Sequence, residues 1–125
     1  LTPQSVHKFG GYGVRARSEA EAEKLLNDAV CIEQAGCFGM VLEKIPAALA
    51  AEVTKKVSVP TIGIGAGAQV DGQVLVVDDM LGKNNGFAPK FLRRYADLHK
   101  IMTEAIENYA NDVRSGAFPD ESEQY

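Results

Sequence analysis

The sequence predicts a mixed α/β fold built on a parallel sheet. Helical and apolar stretches alternate along the first half of the 125-residue chain, joined by connections of a few residues. The apolar stretches are short and lack the polar–apolar alternation of a half-exposed strand, which is typical of strands covered on both faces. The sequence contains no internal repeat and no low-complexity segment.

The first predicted helix begins after Ser18. Ser18 followed by Glu21 is the pattern of a capping box, and Gly36 suits the position just past the end of the helix. The apolar residues between them recur at helical spacing and form one stripe: Ala22, Leu25, Leu26, Ala29 and Ile32. Residues 1–17 form a loop, and a loop this long is usually functional or mobile.

Two strands and a second helix follow. The first strand is predicted over residues 37–42, and Glu43 comes directly after it. Pro46 suits the first turn of a helix over residues 47–56. The second strand is predicted over residues 57–64 and ends in glycines.

The second half of the chain is less regular. Residues 73–77 fit a third buried strand or a short helix, because an apolar run this brief does not distinguish the two. Residues 83–87 are predicted to be a loop. Asp97 can cap a long amphipathic helix that Gly116 ends, and we expect the acidic tail, 119–125, to fray or to lie on a neighbouring surface.

Composition and charge argue against several kinds of partner. The net charge is −4, and the 13 Lys and Arg residues are scattered, whereas nucleic acid requires a concentrated basic surface. No run approaches the roughly 18 consecutive apolar residues of a membrane span.

Cys31 and Cys37 have no second ligand pair at a workable spacing, so we expect two buried, reduced thiols in a cytoplasmic protein.

Two features follow the strands, at the sheet edge where α/β proteins bind ligands. The first is Glu43, which is either paired with Lys44 or a basic loop residue, simply exposed, or a general base that removes a proton next to a carbonyl. The second is the stretch GIGAG, residues 63–67. Its glycines allow either close approach of a ligand or tight strand-to-loop packing, and their spacing is not the dinucleotide fingerprint.

The other polar residues are weaker candidates. Asp78 and Asp79 fit a metal site or, more simply, the capping and solvation of their segment. His7 and His99 have no cysteine, serine or acid partner at a recognisable spacing, so no nucleophilic triad is predicted.

The strand count indicates an incomplete fold. Two or three parallel strands do not close a barrel, and an eight-fold barrel takes about 250 residues. An exposed parallel edge is also a poor place for a sheet to stop. The chain begins Leu-Thr-Pro without a methionine. We therefore expect a processed product or a piece of a larger α/β protein.

The motifs, taken in order, resemble those of the ketopantoate (3-methyl-2-oxobutanoate) hydroxymethyltransferase family. They are LTPQSV…GGY, VLE…P, VPTIGIGAG…VDGQVLV, PKFLRRYAD and GAFP. The resemblance covers essentially the whole chain and the C-terminal half of the enzyme, from just after its fifth barrel strand. It implies that residues 1–125 are the C-terminal half of a (β/α)8 TIM barrel with extra C-terminal helices, and that the N-terminal half is absent from this chain.

The resemblance also implies an activity. The family transfers a one-carbon unit from 5,10-methylenetetrahydrofolate to 3-methyl-2-oxobutanoate and so makes ketopantoate for pantothenate biosynthesis. A Mg²⁺ ion chelates the keto acid, polarises its ketone and stabilises the enolate that forms. A glutamate at the end of the sixth strand takes the C3 proton, and this glutamate corresponds to Glu43. The enzymes form large homo-oligomers, typically decamers.

Other family positions are carried over residue by residue. The glycine-rich loop of the seventh strand makes Gly65, Ala66 and Gly67 candidate substrate-binding residues, and the GGY loop, residues 10–12, is expected to help cover the site. The family's metal-binding aspartates and substrate-binding lysine belong to the N-terminal half. We therefore expect no metal ligand in this chain and no activity from it alone.

The sequence departs from the family pattern at two places. Members usually carry Gln-Gly where this chain has Arg15-Ala16, and a histidine near the end that residues 122–125 lack. These departures leave the roles of the loop and the tail open. Two other functions stay possible: another Mg²⁺-dependent lyase or mutase of similar fold acting on an oxo acid, or a catalytically incomplete, structural half-barrel.

Overall fold

The computed structural model describes residues 6–8, 10, 11, 13–86 and 88–125. They belong to two compact units, Leu1–Leu75 and Val76–Tyr125. None of the helices in these described ranges is long and apolar enough to cross a membrane.

The first unit contains a three-stranded parallel sheet and two helices. Strand β1 (Met40–Glu43) pairs with β2 (Thr61–Ile64), which pairs with β3 (Gly72–Gln73), so that β2 is central. Helix α1 (Glu19–Gln34) precedes β1, and helix α2 (Ala47–Lys56) connects β1 to β2. The predicted mixed α/β class with a parallel sheet is thus confirmed.

Helix α1 begins and ends where the local signals predict. The hydroxyl of Ser18 accepts a hydrogen bond from the Glu21 N–H at 3.3 Å, and Gly36 follows the helix with a φ of 91°. The second half of the capping box does not form. The Glu21 carboxylate instead pairs with Arg15 at 2.9 Å, which ties the opening loop to the first turn of the helix.

The core of the first unit lies between the two helices and one face of the sheet. Its buried residues are Ala29, Leu42, Ile45, Ala50, Val53 and Ala66. The predicted stripe of α1 is only partly buried, because Ile32 is 49% exposed while Leu25 and Leu26 pack at the margin of the core. The expectation of two buried thiols was wrong, because Cys31 is exposed on α1 and Cys37 is only half-buried; both are free cysteines.

The parallel register divides the side chains of β1 between two faces. Val41 is paired with Ile62, and Leu42 with Gly63. Side chains alternate along a strand, so Val41 and Glu43 share one face while Leu42 lies on the other, against the helices. Leu42 is buried, whereas Val41 is 62% exposed. The prediction that this strand is covered on both faces was therefore wrong for the described chain, where only the helix side is covered.

The strand boundaries differ from those predicted. Strand β1 begins at Met40 rather than at residue 37, and Phe38, inside the predicted strand, is 94% exposed. Strand β2 begins only at Thr61, because Pro60 has no N–H to donate to the ladder. The carbonyl of Pro60 still accepts a hydrogen bond from the Met40 N–H at 3.0 Å, so the two strands come together at this point.

The second unit is helical. The ambiguous run 73–77 is divided, because Gln73 ends β3 and Val77 begins the short helix α3 (Val77–Met80). Residues 83–86 form no helix or strand, as the loop prediction requires, and Phe87 lies outside the described residues.

Helix α4 (Leu98–Ser115) is the long helix that Asp97 and Gly116 predict. The Asp97 carboxylate accepts from the Lys100 N–H at 3.4 Å, and Gly116 has a φ of 75°. The acidic tail does not fray as expected. Residues Glu121–Glu123 form a 3₁₀ helix whose N-cap is Asp120.

A hydrogen-bond network joins the start of β2 to the residue before β3. Thr61 is fully buried, and its N–H and hydroxyl donate to the Asp71 carboxylate at 2.8 and 2.9 Å. The hydroxyls of Thr61 and Thr54 lie 2.8 Å apart, which links the network to α2. The bonds from Thr61, its N–H first, hold the pKa of Asp71 below its ordinary value of 3.8.

Replacing Asp71 with Asn is expected to lower the free energy of unfolding of the chain at pH 7, because a neutral amide oxygen is a weaker acceptor than a carboxylate. The folded pKa lies below the unfolded one. The stabilisation is therefore complete above the unfolded value and is lost as the pH falls through the folded value. Urea unfolding at pH 7 and pH 3 should show the gap between wild type and Asp71→Asn narrowing at pH 3. The exposed Glu52 gives a control, Glu52→Gln, and a gap that is equal at both pH values would contradict the assignment.

Candidate active site

Glu43 ends β1 at the carboxyl edge of the sheet. The next residue, Lys44, donates its N–H to the Ile64 carbonyl at 3.0 Å, so the ends of β1 and β2 lie side by side. The Glu43 side chain is half-buried. Among the residues that the structure describes, its carboxylate takes part in no hydrogen bond and no ion pair. The alternative in which Glu43 forms a salt bridge with a described basic residue is therefore excluded. Arg15 of the opening loop pairs with Glu21.

Lys44, the residue after Glu43, and Ala16 of the opening loop both have strained backbones. Lys44 has a φ of 50° and Ala16 a φ of 54°, in the left-handed region that costs a residue with a Cβ roughly 1–2 kcal/mol. The Arg15 N–H donates to the Lys44 carbonyl at 2.9 Å. Lys44 is thus held on both sides, by the opening loop and by β2, which fixes the direction of the chain just past Glu43.

The glycine-rich stretch follows β2 at the same edge of the sheet. Gly65 and Gly67 have φ values of 63° and 83°. A Cβ on Gly67 would lie 2.4 Å from the Cβ of Ala47, so close packing on α2 also requires glycine there. Ala66 is 1% exposed and belongs to the core. Packing thus explains Gly67 and Ala66, and a substrate contact from this loop would have to come from its backbone.

The described residues of the GGY loop form a turn. The Gly11 N–H donates to the Val6 carbonyl at 3.0 Å, which closes a turn, and Gly10 has a φ of 69°. Tyr12, the third residue of the loop that was expected to help cover the site, lies outside the described residues. His7 belongs to the same turn and is exposed.

The carboxylates of α3 are candidate metal ligands from the sequence, and in the described ranges they have other partners. No group of three or more His, Cys, Asp or Glu side chains within the described ranges is placed to hold a metal ion. Asp78 forms an ion pair with Lys83 at 3.4 Å, and Asp79 accepts a hydrogen bond from Asn84 at 2.9 Å. Both carboxylates therefore bind the loop that follows α3. These donors do not fit the Mg²⁺ that the family resemblance implies.

A groove of about 410 Å³ lies between α1 and β1, next to Glu43. We call it the α1–β1 groove. Its apolar lining includes Leu25, Ile32, Met40 and Val41. Glu43 lines the groove as well, and two ion pairs lie along it, Arg15 with Glu21 and Lys24 with Asp28.

The geometry can be compared with known proteins. The family model for ketopantoate hydroxymethyltransferase matches residues 1–121. The chain belongs to this family. Proteins named 3-methyl-2-oxobutanoate hydroxymethyltransferase from Bacteroides fragilis, Phocaeicola vulgatus and Flavobacterium johnsoniae are each 63% identical over all 125 residues, which cover 46% of each relative. The chain therefore spans about half the length of the curated relatives it matches.

One difference from the pattern of the ketopantoate hydroxymethyltransferase family has a structural consequence. Ala16 stands where we expect the family to have glycine, and its φ of 54° is one that glycine adopts without steric cost. Sequence reasoning noted the replacement but did not detect the strain. The strain concerns the site because the neighbouring residue, Arg15, binds the backbone directly after Glu43.

Replacing Ala16 with Gly is expected to raise the free energy of unfolding by about 0.5 kcal/mol. Relief of the left-handed strain outweighs the larger conformational entropy of glycine in the unfolded chain. Thermal and urea unfolding of the two proteins measure the difference. The control is Ala22→Gly in the first turn of α1, where the same change should destabilise by about 0.5–1 kcal/mol. Equal destabilisation at both positions would contradict the strain at Ala16.

Proposed function

We propose that this chain is the part of a ketopantoate hydroxymethyltransferase that carries the general base, Glu43. The observation that carries the proposal is the position of this carboxylate, at the carboxyl edge of a parallel sheet and without a polar partner among the described residues. Ligands of α/β sheets bind at this edge. The 63% identity to proteins named 3-methyl-2-oxobutanoate hydroxymethyltransferase supports the same activity.

The substrates we propose are 3-methyl-2-oxobutanoate and 5,10-methylenetetrahydrofolate. The C3 carbon of the keto acid is adjacent to its ketone, so removal of the C3 proton leaves an enolate. Glu43 accepts that proton, and the electrons of the C–H bond form the enolate double bond. The C3 carbon of the enolate then forms a bond to the methylene carbon of the folate, and one of the two C–N bonds of that carbon breaks as its nitrogen takes up a proton. A water molecule replaces the second nitrogen, so that the methylene group becomes a hydroxymethyl group and tetrahydrofolate leaves. The product, ketopantoate, enters pantothenate biosynthesis.

The residues around Glu43 support this role by positioning it. A general base must lie within about 2.6–3.2 Å of the atom that gives up the proton, or reach it through one water. Lys44 is bonded on both sides, to Ile64 and to Arg15, so the end of β1 has little freedom to move. The strain at Lys44 is the kind of backbone conformation that persists where the surroundings enforce it, often at active sites.

We also propose that the remainder of the site lies in another part of the protein. In this proposal the chain is the C-terminal half of a (β/α)8 barrel, and the N-terminal half holds the Mg²⁺ ligands. The ion would polarise the ketone when bound, but no residue described here is assigned to it. The 46% share of the relatives that the chain covers supports this division. Assembly into a homo-oligomer, a decamer in the family, is part of the same proposal.

Replacing Glu43 with Gln in the assembled enzyme is expected to slow exchange of the C3 proton of 3-methyl-2-oxobutanoate by about 10²–10⁴-fold, because the amide cannot accept the proton. NMR detection of deuterium incorporation at C3 measures this step without the folate. Glu52→Gln, a change at an exposed position of α2, is the control and should exchange at the wild-type rate. Undiminished exchange in Glu43→Gln would refute the assignment. A different enzyme acting on an oxo acid would show the exchange but no turnover with the folate.

Calorimetry tests the division of the site. The chain alone is expected to bind neither Mg²⁺ nor 3-methyl-2-oxobutanoate, because the described residues form no metal site. Binding of both should appear when the part of the B. fragilis relative outside the matched region is supplied. Tight binding of Mg²⁺ by the 125-residue chain alone would contradict this arrangement.

A further inference from the structure

The five asparagines of the chain differ in how firmly they are held. Three of them lie well inside helices α1 and α4: Asn27, Asn108 and Asn111. Helical hydrogen bonds fix the backbone around each of these residues. The carboxamide of Asn84 donates a hydrogen bond to the Asp79 carboxylate at 2.9 Å. In the described part of the chain, Asn85 alone lies outside a helix and has no such contact.

Asn85 and the next residue, Gly86, are both exposed in the loop that follows α3. Within the described ranges, neither the Asn85 carboxamide nor the Gly86 N–H takes part in a hydrogen bond. A Cβ on Gly86 would meet no atom within 4 Å, so the space around this peptide is open. The two groups can therefore approach each other, and water reaches both.

Asparagine followed by glycine is the sequence in which a backbone nitrogen attacks a side-chain amide most readily. The attacking atom is the nitrogen of the following residue, and a side chain on that residue hinders the approach. Glycine has no side chain. Asparagine is accordingly counted among the thermolabile residues of proteins. Asn85 combines this reactive sequence with an unprotected position.

The chain has one other position at which the same kind of ring could form, Asp71 followed by Gly72. There the side chain is held, because the Asp71 carboxylate accepts hydrogen bonds from the N–H and the hydroxyl of Thr61 at 2.8 and 2.9 Å. These bonds, the one from the N–H first, also keep the pKa of Asp71 below its ordinary value of 3.8, so that the group is ionised near neutral pH. A carboxylate resists attack by a nucleophile far more than an amide does. The reactive position is therefore Asn85.

We propose that Asn85 is a modification site, at which water converts the asparagine to a mixture of isoaspartate and aspartate through a cyclic imide formed with Gly86. The site is independent of Glu43 and of the proposed reaction. The conversion needs neither an enzyme nor an oxidant, and its co-reactant is water.

The bonds change in two steps. The Gly86 nitrogen gives its proton to hydroxide and forms a bond to the side-chain carbonyl carbon of Asn85. The bond between that carbon and the amide nitrogen breaks, and the nitrogen leaves as ammonia after it takes a proton from water. Water then opens the five-membered imide at either carbonyl. Opening at the backbone carbonyl gives isoaspartate, and opening at the former side-chain carbonyl gives aspartate.

Either product places a carboxylate in the loop of a chain whose net charge is already −4. The neighbouring residue, Asn84, ties this loop to the residues around it. Its carboxamide binds Asp79, and its carbonyl accepts a hydrogen bond from Arg94 at 2.9 Å. Isoaspartate also adds one carbon to the main chain directly after these contacts. The modification therefore changes both the charge and the path of the loop.

Incubation of the 125-residue chain at mildly alkaline pH, followed by digestion and mass spectrometry, tests the site. Trypsin cuts after Lys83 and Lys90, and fragmentation of the released peptide distinguishes Asn84 from Asn85. Asn85 is expected to gain the mass difference between an amide and an acid at least tenfold faster than each of the other asparagines. A sample digested without incubation corrects for conversion during digestion. An isoaspartate-specific methyltransferase should detect isoaspartate at the same position, because direct hydrolysis by water would give aspartate alone.

Two variants test the ring. Gly86→Ala puts a methyl group on the residue that supplies the nitrogen, and Asn85→Gln moves the carboxamide one carbon further away, so that a larger ring would have to form. Both are expected to react at least tenfold more slowly at position 85. The matched control, Asn108→Gln, changes an exposed asparagine of α4 and should leave the rate at Asn85 unaltered. Circular dichroism checks folding, and if the φ of 85° at Gly86 prevents the alanine variant from folding, Asn85→Gln decides.

Three results would overturn the proposal. They are conversion of Asn85 no faster than that of Asn84, conversion without isoaspartate, and a wild-type rate in Asn85→Gln or in a folded Gly86→Ala.

Discussion

The parallel pairing of β1 with β2 is the constraint on which the rest of the first unit depends. Its register directs Leu42 towards the helices and leaves Val41 and Glu43 on the opposite face. A slip of one residue would exchange the two faces. Leu42 would lose about 1.5–3 kcal/mol of burial, and the Glu43 carboxylate would enter an apolar core at a cost of several kcal/mol. The same register therefore builds the core and places the carboxylate at the edge.

Hydrogen bonds hold this register differently at the two ends of the sheet. At the amino end, side-chain carboxylates bind the backbone without positive φ angles. Thr61 donates two hydrogen bonds to the Asp71 carboxylate. The Glu33 carboxylate of α1 accepts hydrogen bonds from the N–H and the hydroxyl of Ser58, both at 2.6 Å. The Ser58 hydroxyl is the larger cause of the lowered pKa of Glu33. At the carboxyl end the backbone is strained at Lys44. The relaxed end stabilises the fold, and the strained end fixes the position of the candidate base.

Local signals predicted those parts of the fold that depend on neighbouring residues alone. Ser18 and Gly36 mark the ends of α1, and Asp97 and Gly116 those of α4, because caps act within one helical turn. The start of β1 was missed because strand limits depend on partners distant in sequence. The left-handed Lys44 gave no signal at all, since lysine is not a residue that usually marks this conformation. Glu43 itself was found from its place after an apolar strand, but its role came from the resemblance.

The open face of β1 bears on how the base could work. In the described chain Val41 is largely exposed, so water reaches the surface beside Glu43. A carboxylate interacts more strongly with a bound substrate when water is excluded and the surrounding dielectric constant is low. A strand docked along β1 would cover Val41 and remove water from one side of the carboxylate. Under the proposed function, completion of the sheet would do more than add the missing residues, because it would also change the medium in which Glu43 would take the proton.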